Sequence, residues 1–245
     1  MLKVITLITK FIVITLMAIL FGSCNQNVLN SITGSGHVTT EKRTVTGDFK
    51  NVEVSNALDL VIEQSDKTEI TVIADDNLQK EITTKIENGV LVISCNKGNF
   101  INVSSKKIIV KMPIIEGLEA SSASSINCNN TLKGSNINLV SSSAGSIHAT
   151  VECENIQLNS SSASNQTING KAIHLETSSS SGSVLNAGEL LANDVVAHAS
   201  SGSSTAVSPI VSLKAEASSG GNISYKKTPK SIQKEENSGG SVHQE

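Results

Sequence analysis

Carboxylates and an imidazole recur at one position of a repeated motif in the second half of this 245-residue chain. The residue two places before each aligned serine pair gives a predicted outward column: Glu119, Val140, Asn159, Glu176, His198, Glu216 and Glu236. Glu176 and Glu216 lie one repeat to either side of His198 in this column, where they could bind a metal ion or act as general acid and base. The alternative is a solvated strand face with favourable charge pairs. We favour the solvated face, because each repeat supplies a different residue type.

Other residues with the potential for chemistry are few. Asp75 and Asp76 could bind calcium, although a turn explains two adjacent aspartates equally well. Gly34-Ser35-Gly36 lacks the strand–turn–helix setting of a phosphate-binding loop. Sugar-active sites usually add aromatic rings, and this chain has no Trp, one Tyr and four Phe. The sequence therefore predicts a protein that is not an enzyme, with no catalytic, cofactor-binding or metal-binding residue and no cofactor.

A serine-rich block sets the period of the repeat. Successive blocks, read as SSAS, SSAG, SSAS, SSSS, SSGS, SSGG and SGGS, are separated by 17 to 22 residues. They start at Ser121, Ser142, Ser161, Ser178, Ser200, Ser218 and Ser238. A period that varies by a few residues is typical of a stacked supersecondary unit whose loops absorb the differences.

Alternating apolar and polar residues precede these blocks, as in Ile137-x-Leu139 and Ile156-x-Leu158. This alternation predicts strands with one buried face. Units of this length fit the coils of a parallel β-helix, with each serine block at a corner where only small side chains stack and hydroxyls bond to neighbouring coils. Four glycines would permit the positive φ of such corners: Gly182, Gly202, Gly220 and Gly221. A disordered serine-rich tract is the alternative, but it would not keep phased apolar alternation.

The region before the repeat contains dense strand signals from Val45 to Met112, separated by turn signals. Asn88-Gly89 favours a type I′ hairpin turn. We interpret residues 37–117 as an antiparallel or mixed β-region that caps the helix, and 118–245 as the serine-rich coils, so that 37–245 is a single β-helix domain. No helix of two turns is convincing in this region, except that Asn77–Lys80 could form one.

The amino terminus has the pattern of a lipoprotein signal. Lys3 and Lys10 precede an apolar run of 11 residues from Phe11 to Phe21, followed by Gly22, Ser23 and Cys24. Such a run is too short to span a bilayer and fits a signal-peptide core. The pattern resembles a bacterial lipobox, which implies a signal peptide over 1–23, acylation of Cys24, and a tether over 24–36. The alternatives are an uncleaved anchor or a plain secretory signal.

Charge and cysteine content narrow the partners. The chain has 19 basic and 22 acidic residues, and cleavage after Ser23 would remove two of the lysines. This acidic balance gives no reason to expect nucleic acid as a partner.

Cys95, Cys128 and Cys153 show no metal-binding spacing. Buried free thiols are one interpretation, and one disulfide plus one free thiol is the other.

Several motifs together resemble a known family. They are Gly34-Ser35-Gly36, Arg43, Phe49, Val52-Glu53-Val54, Asp76-Asn77-Leu78, the serial serine blocks, Ile223-Ser224-Tyr225, Pro229 and Ser238-Gly239-Gly240-Ser241. Over residues 34–243 the chain resembles the putative auto-transporter adhesin, head GIN domain family. The resemblance implies a right-handed parallel β-helix on the surface of Gram-negative bacteria, often lipid-anchored. The family usually has Gly at the second place of each block, where this chain has Ser in six of the seven blocks: Ser122, Ser143, Ser162, Ser179, Ser201 and Ser219.

These observations predict a non-enzymatic, lipid-anchored protein of the outer membrane. Its membrane contact is the lipid on Cys24, and its polar face would meet a glycan or protein partner. Two alternatives stay open: a structural or envelope-binding module facing the periplasm, and a degenerate carbohydrate-active enzyme.

Overall fold

The computed structural model describes residues 31–245, together with Lys10 and Thr15. The predicted acylation site Cys24, residues 25–30 of the predicted tether and the rest of the predicted signal peptide lie outside the described residues. Within the described part of the chain, no helix has the length and apolar character needed to cross a membrane.

The described chain is built almost entirely of strands, with one short helix. The N-terminal strands are β1 (Ser31–Thr33), β2 (Val38–Arg43), β3 (Asn51–Val54), β4 (Asp59–Gln64), β5 (Glu69–Asp75), β6 (Ile82–Glu87), β7 (Val90–Cys95), β8 (Asn99–Ile101) and β9 (Lys106–Met112), with helix α1 (Asp76–Gln79) after β5. The later strands are β10 (Gly117–Ala120), β11 (Ser125–Cys128), β12 (Leu132–Ser141), β13 (Ser146–Ser160), β14 (Asn165–Ser179), β15 (Val184–Ala199), β16 (Ser204–Ala217), β17 (Asn222–Tyr225), β18 (Ser231–Glu236) and β19 (Ser241–Gln244).

Strands β12 to β16 stack in parallel, each forming most of one coil. Inward residues of successive coils lie directly over one another in a buried column: Leu139, Leu158, Thr177, Ala197 and Ala215. No coil could bury this column alone, so each depends on its neighbours for its apolar contacts. The predicted parallel β-helix is confirmed, as a β-solenoid of about 7 turns.

Tight turns form one corner of the solenoid. They occupy residues 55–58, 121–124, 142–145, 161–164, 180–183, 200–203, 218–221 and 237–240. The two central residues have positive φ, for example 50° at Ser122 and 60° at Ala123, as in a type I′ turn. The Ala123 N–H donates to the Ser143 carbonyl at 3.0 Å in the next turn, and equivalent bonds continue along the corner. The serine blocks are therefore stacked corners, as predicted.

The turns correct the predicted alignment at two blocks. The turn of the fourth serine block begins at Ser180 rather than Ser178, since the Ser183 N–H donates to the Ser180 carbonyl. The last begins at Asn237 rather than Ser238, since Gly240 N–H donates to the Asn237 carbonyl. The uninterrupted serine run 178–181 gives no register of its own, because four identical side chains fit either phase.

Serine occupies the second place of every turn from 121–124 onward and keeps the left-handed conformation there, with φ between 49° and 54°. Gly182, Gly202 and Gly220 adopt positive φ as predicted, at 68°, 71° and 74°. Gly221 does not have positive φ. It is needed for space, because a Cβ there would lie 2.4 Å from the Ala199 carbonyl oxygen of the preceding coil.

The N-terminal region is mixed β-structure, as predicted. Strand β2 pairs antiparallel with β5, β5 with β9, and β6 with β7, whereas β3 and β4 pair in parallel with β10 and β11. The solenoid therefore begins one coil before the first serine block. Its first turn uses Asn56 and Ala57 at positive φ, so no serine pair marks it. Strand β1, inside the predicted tether, pairs with β8 and holds the chain to this cap from Ser31 onward.

Charged side chains occupy inward positions of the C-terminal coil. Lys234 and Glu236 lie in register with the buried Ala215 and Ala217 of the coil before. The Lys234 ammonium donates to the Val242 carbonyl at 3.1 Å and lies 4.8 Å from the Tyr225 ring centroid, while Glu236 accepts from the Val242 N–H at 2.6 Å. Inward-pointing charges of this kind block edge-to-edge pairing of exposed strands.

All three cysteines of the described region are free thiols, with Cys95 and Cys153 buried and Cys128 partly so. Burial raises the pKa of Cys128 to about 12, and it raises the pKa of Cys95 and of Cys153 as well. The thiols are therefore protonated at neutral pH, which suits the free-thiol interpretation.

Candidate functional site

A polar face runs along the strand segments that precede the turns. Because side chains alternate across a strand, the residues six, four and two places before each turn from 142–145 onward point outward. Six places before the turns lie Asn136, Asn155, His174, Asp194, Ser212 and Ser231; four places before lie Gly117, Asn138, Gln157, Glu176, Val196, Lys214 and Gln233. We call these the first and second columns.

A groove of about 400 Å³ lies between the first and second columns. It extends from Glu116 to Asp194 and Val196, across five successive coils. Since neighbouring strands lie about 4.8 Å apart, the groove is about 19 Å long and parallel to the solenoid axis. Outward amides and carboxylates form most of its walls, and Ile137, Ile156 and Leu175 lie at its floor. No lysine or arginine is among the lining residues.

Hydrogen bonds between coils hold the first column in place. The Asn155 amide donates to Asn136 Oδ1 at 2.8 Å, and the Ser212 hydroxyl donates to Asp194 Oδ1 at 2.6 Å. His174 Nδ1 lies 3.4 Å from Asp194 Oδ2. Each bond uses part of a side chain's capacity, so the Asn136 amide hydrogens and the Asn155 carbonyl oxygen are left for a ligand. The wall is thus an ordered row of donors and acceptors.

The groove is acidic, but two of its three carboxylates have partners. Glu116 pairs with Lys50 at 2.7 Å, and Asp194 has the His174 and Ser212 contacts. Glu176, in the second column, makes no hydrogen bond or ion pair among the described residues, and neighbouring Gln157 makes no side-chain hydrogen bond there. Glu176 is therefore the carboxylate that a ligand would meet.

The predicted column from Glu119 to Glu236 is wrong at two positions, Glu176 and Glu236. The residue beside His198 is Ser178, and Glu176 instead pairs in register with Gln157 and Val196. At the far end Glu235, not Glu236, lies beside Glu216. Both errors follow from the block alignment corrected above.

His198 and Glu216 are brought together, with His198 Nδ1 3.1 Å from Glu216 Oε2. Lys214 contacts the same carboxylate at 2.7 Å, and its hydrogen bond is the main reason why the pKa of Glu216 is lowered. Glu216 is therefore an ionised partner in a charge cluster with His198 and Lys214. Higher in this column, burial and then the charge of Glu53 raise the pKa of Glu119.

Asp75 has a structural role. Its carboxylate is fully buried and accepts hydrogen bonds from the N–H groups of Gly36, Ser104 and Ser105, at 3.0, 3.0 and 2.9 Å. A Cβ at Gly34 would lie 2.4 Å from Asp75 Oδ2. The Gly34-Ser35-Gly36 segment therefore clamps Asp75 and ties the N-terminal strand to the cap.

A larger cavity, of about 630 Å³, lies in the cap between residues 42–50 and Pro113-Ile114. Its basic residues already have acidic partners, since Lys42 lies 3.1 Å from Glu69 and Lys50 pairs with Glu116. The ordered groove is the stronger candidate for recognition. Within the described residues, no group of three or more His, Cys, Asp or Glu side chains could hold a metal ion.

The first column was not predicted from the sequence. Asn136, Asn155, His174 and Asp194 each lie six residues before a turn, so the signal was present in the spacing. Counting from the turns rather than from the first serine of each run would have found it.

Comparisons with known proteins agree with this architecture. The family described as "Putative auto-transporter adhesin, head GIN domain" matches residues 48–229. A structure described as a putative adhesin from Bacteroides fragilis NCTC 9343 has a TM-score of 0.80 at 20% identity, covering 87% of this chain and 100% of its own. A search of curated proteins finds no match.

Two similar structures come from Parabacteroides distasonis ATCC 8503. One, described as a putative adhesin, has a TM-score of 0.71 at 20% identity, covering 88% of this chain and 100% of its own. The other is described as a putative lipid binding protein, with a TM-score of 0.70 at 19% identity, covering 88% and 99%. At such identities these likenesses show the fold alone.

Proposed function

Because the chain belongs to the putative auto-transporter adhesin, head GIN domain family, we propose that it is a non-enzymatic adhesin-like protein of the cell envelope. The lipid on Cys24 anchors it to the outer membrane of a Gram-negative bacterium. The solenoid then presents its polar face to a glycan or protein partner.

The groove on the polar face is the observation that carries this proposal. Its first column is held by bonds between coils, whereas the Glu176 and Gln157 side chains on the second have no hydrogen bond to any residue that the structure describes. A rigid scaffold with partly unsatisfied polar groups on one face is suited to binding, since little side-chain order has to be gained when a partner arrives.

Anchoring supports the same function by multiplying contacts. Acyl chains at about 0.8 kcal/mol per buried methylene would hold many copies on one membrane. Such copies bind a repeating surface with avidity well above the affinity of one groove.

Two experiments on cells test the proposal. Labelled palmitate should enter the wild-type protein and not Cys24→Ala. Protease added to intact cells should remove the solenoid if it is displayed outward. A solenoid protected until the outer membrane is breached would favour the periplasm-facing alternative instead.

The enzyme alternative has its own test. Wild-type protein and the variants Glu176→Gln and Glu216→Gln would be incubated with bacterial and host polysaccharides, and reducing ends would be measured. We expect no turnover by any of them. Turnover by the wild type that either variant abolishes would replace the binding function with a carbohydrate-active one.

A further inference from the structure

We propose that the groove binds an uncharged oligosaccharide lying along the solenoid axis, and that it discriminates against acidic glycans. This inference rests on the proposed function, and it names the class of ligand for the same face.

The dimensions of the groove favour a chain over a single sugar. It crosses five coils in a straight line, about 19 Å, which is several times the width of one sugar ring. Polar side chains line both walls at three successive coils, as the pairs Asn136 and Asn138, Asn155 and Gln157, and His174 and Glu176. A polymer of hydroxyl-bearing units can therefore make the same kind of contact at successive coils.

The chemistry of the walls matches hydroxyl groups. A hydroxyl both donates and accepts a hydrogen bond, and a side-chain amide does the same. Asn136, Asn138, Asn155 and Gln157 place four amides in two adjacent coils. The Asn155 and Asn159 amides donate to Asn136 Oδ1 and Asn138 Oδ1, at 2.8 and 3.2 Å, so the amides of Asn136, Asn138 and Asn155 have fixed orientations.

A peptide ligand fits the groove less well. Peptides are recognised through an exposed sheet edge or through apolar pockets for alternate side chains. The strands that bear the groove are paired on both sides by neighbouring coils, so their backbone groups are engaged. Val196 is the one apolar side chain among the outward residues that line the groove.

The charge of the groove sets its selectivity. Glu176 has no partner among the described residues, and no lysine or arginine lines the groove to bind a carboxylate or sulfate. An acidic sugar within about 6 Å of Glu176 would be disfavoured by roughly 3- to 30-fold, depending on the local dielectric and the salt.

Affinity at one groove would be modest. The only tyrosine, Tyr225, is 6% exposed, so it offers no stacking surface to a sugar ring. Binding would rest on hydrogen bonds that replace those to water, and each contributes little net free energy. Multivalent display is therefore part of the test.

The test uses the mature chain from residue 24 with Cys24→Ser, coupled at high density to beads. Matched neutral oligosaccharides and their uronic-acid or sulfated counterparts are the probes. We expect the neutral members to bind and the acidic ones to bind at least 3-fold more weakly. Glu176→Gln should narrow that difference, and Asn155→Ala with Gln157→Ala should reduce neutral binding at least 5-fold.

The control is Asn127→Ala with Asn165→Ala, on exposed strand positions beyond the turns, which should leave binding unchanged. Circular dichroism checks that each variant is folded. Equal or tighter binding of acidic glycans would overturn the charge selectivity but leave the proposed adhesin-like function standing. Neutral binding that survives the groove variants, or no glycan binding at all, would overturn the groove assignment. The cell experiments above would then decide the wider function separately.

Discussion

The Ser183 hydroxyl donates a hydrogen bond of 2.8 Å to the Ser160 carbonyl oxygen, which belongs to the preceding coil. Ser183 Oγ also accepts from the Ser180 N–H at 3.2 Å, so one buried hydroxyl closes its own turn and ties it to the previous coil. Ser164 and Ser203 make the same two bonds in their turns. The serine at the fourth place of these turns therefore links each coil to the preceding one.

Replacing this serine with alanine should destabilise the protein. Ser183→Ala removes this bond, while the Ser160 carbonyl keeps the Ser180 N–H as a donor at 3.0 Å. We therefore expect a loss of about 0.5 to 1.5 kcal/mol in the free energy of unfolding. Urea denaturation measures it. Ser181→Ala, an exposed position of the same turn, is the matched control and should cost far less. Equal losses for the two variants would show that the hydroxyl bond is unimportant.

Gly170 is required where strand β14 bends. It has a φ of 125°, and a Cβ there would lie 1.9 Å from the Val151 carbonyl oxygen. We expect Gly170→Ala to lower the unfolding free energy by roughly 3 kcal/mol or more. Gly182→Ala is the control: it has nothing within 4 Å of the added Cβ, and Ala163 holds the same place in the preceding turn with a φ of 58°. A tolerated Gly170→Ala would contradict the packing of these coils.

The clamp at Asp75 should make stability depend on pH. Burial acts to raise its pKa, but the hydrogen bonds from the N–H groups of Gly36, Ser105 and Ser104 lower the pKa overall. A lowered folded-state pKa gives stability that is complete above the unfolded value, near 3.9, and is lost as the pH falls toward the folded value.

Asp75→Asn should therefore be less stable than the wild type by roughly 2 to 4 kcal/mol at pH 7, with the difference shrinking below about pH 4. Thermal unfolding across pH 2.5 to 7 measures the difference. Its expected size is that of hydrogen bonds to a charged group. A difference that is constant with pH would mean that Asp75 does not act through its charge.

The charged C-terminal coil should keep the protein monomeric. Lys234→Ala with Glu236→Ala restores the alanines that Ala215 and Ala217 supply one coil earlier, so the end would resemble an unfinished solenoid. We expect concentration-dependent dimers or longer assemblies by sedimentation velocity. Lys230→Ala with Glu235→Ala removes the same two charge types at exposed positions outside the inward column and should stay monomeric. Assembly by both variants would point to lost net charge rather than to a lost cap.

The fold was largely predictable because its signals are periodic. Ile156-x-Leu158 and its equivalents alternate with period two, and this phase fixes which residues face the core. The turn at 55–58 was not predictable in the same way. Asn56 and Ala57 take the left-handed conformation with no serine to mark it, and only the register of β3 with β10 shows that this segment is a coil.

The candidate site was less accessible to sequence reasoning. A shift of two residues in one serine run placed Glu176 beside His198, whereas Glu176 faces the groove. The groove itself depends on how two outward columns are set on the curved coil, and a list of alternating residues contains no curvature. The partners in the first column are 18 to 20 residues apart in the chain and meet only through stacking.

The most direct test of the account is to locate a bound sugar on the solenoid. Side-chain amide NMR signals of Asn136, Asn155 and Gln157 would be followed as neutral oligosaccharides are titrated into the Cys24→Ser mature chain. We predict that these signals shift together and saturably, while those of Asn165 and Asn186 do not. Shifts confined to other faces or to the cap cavity, or no shifts at all, would contradict it.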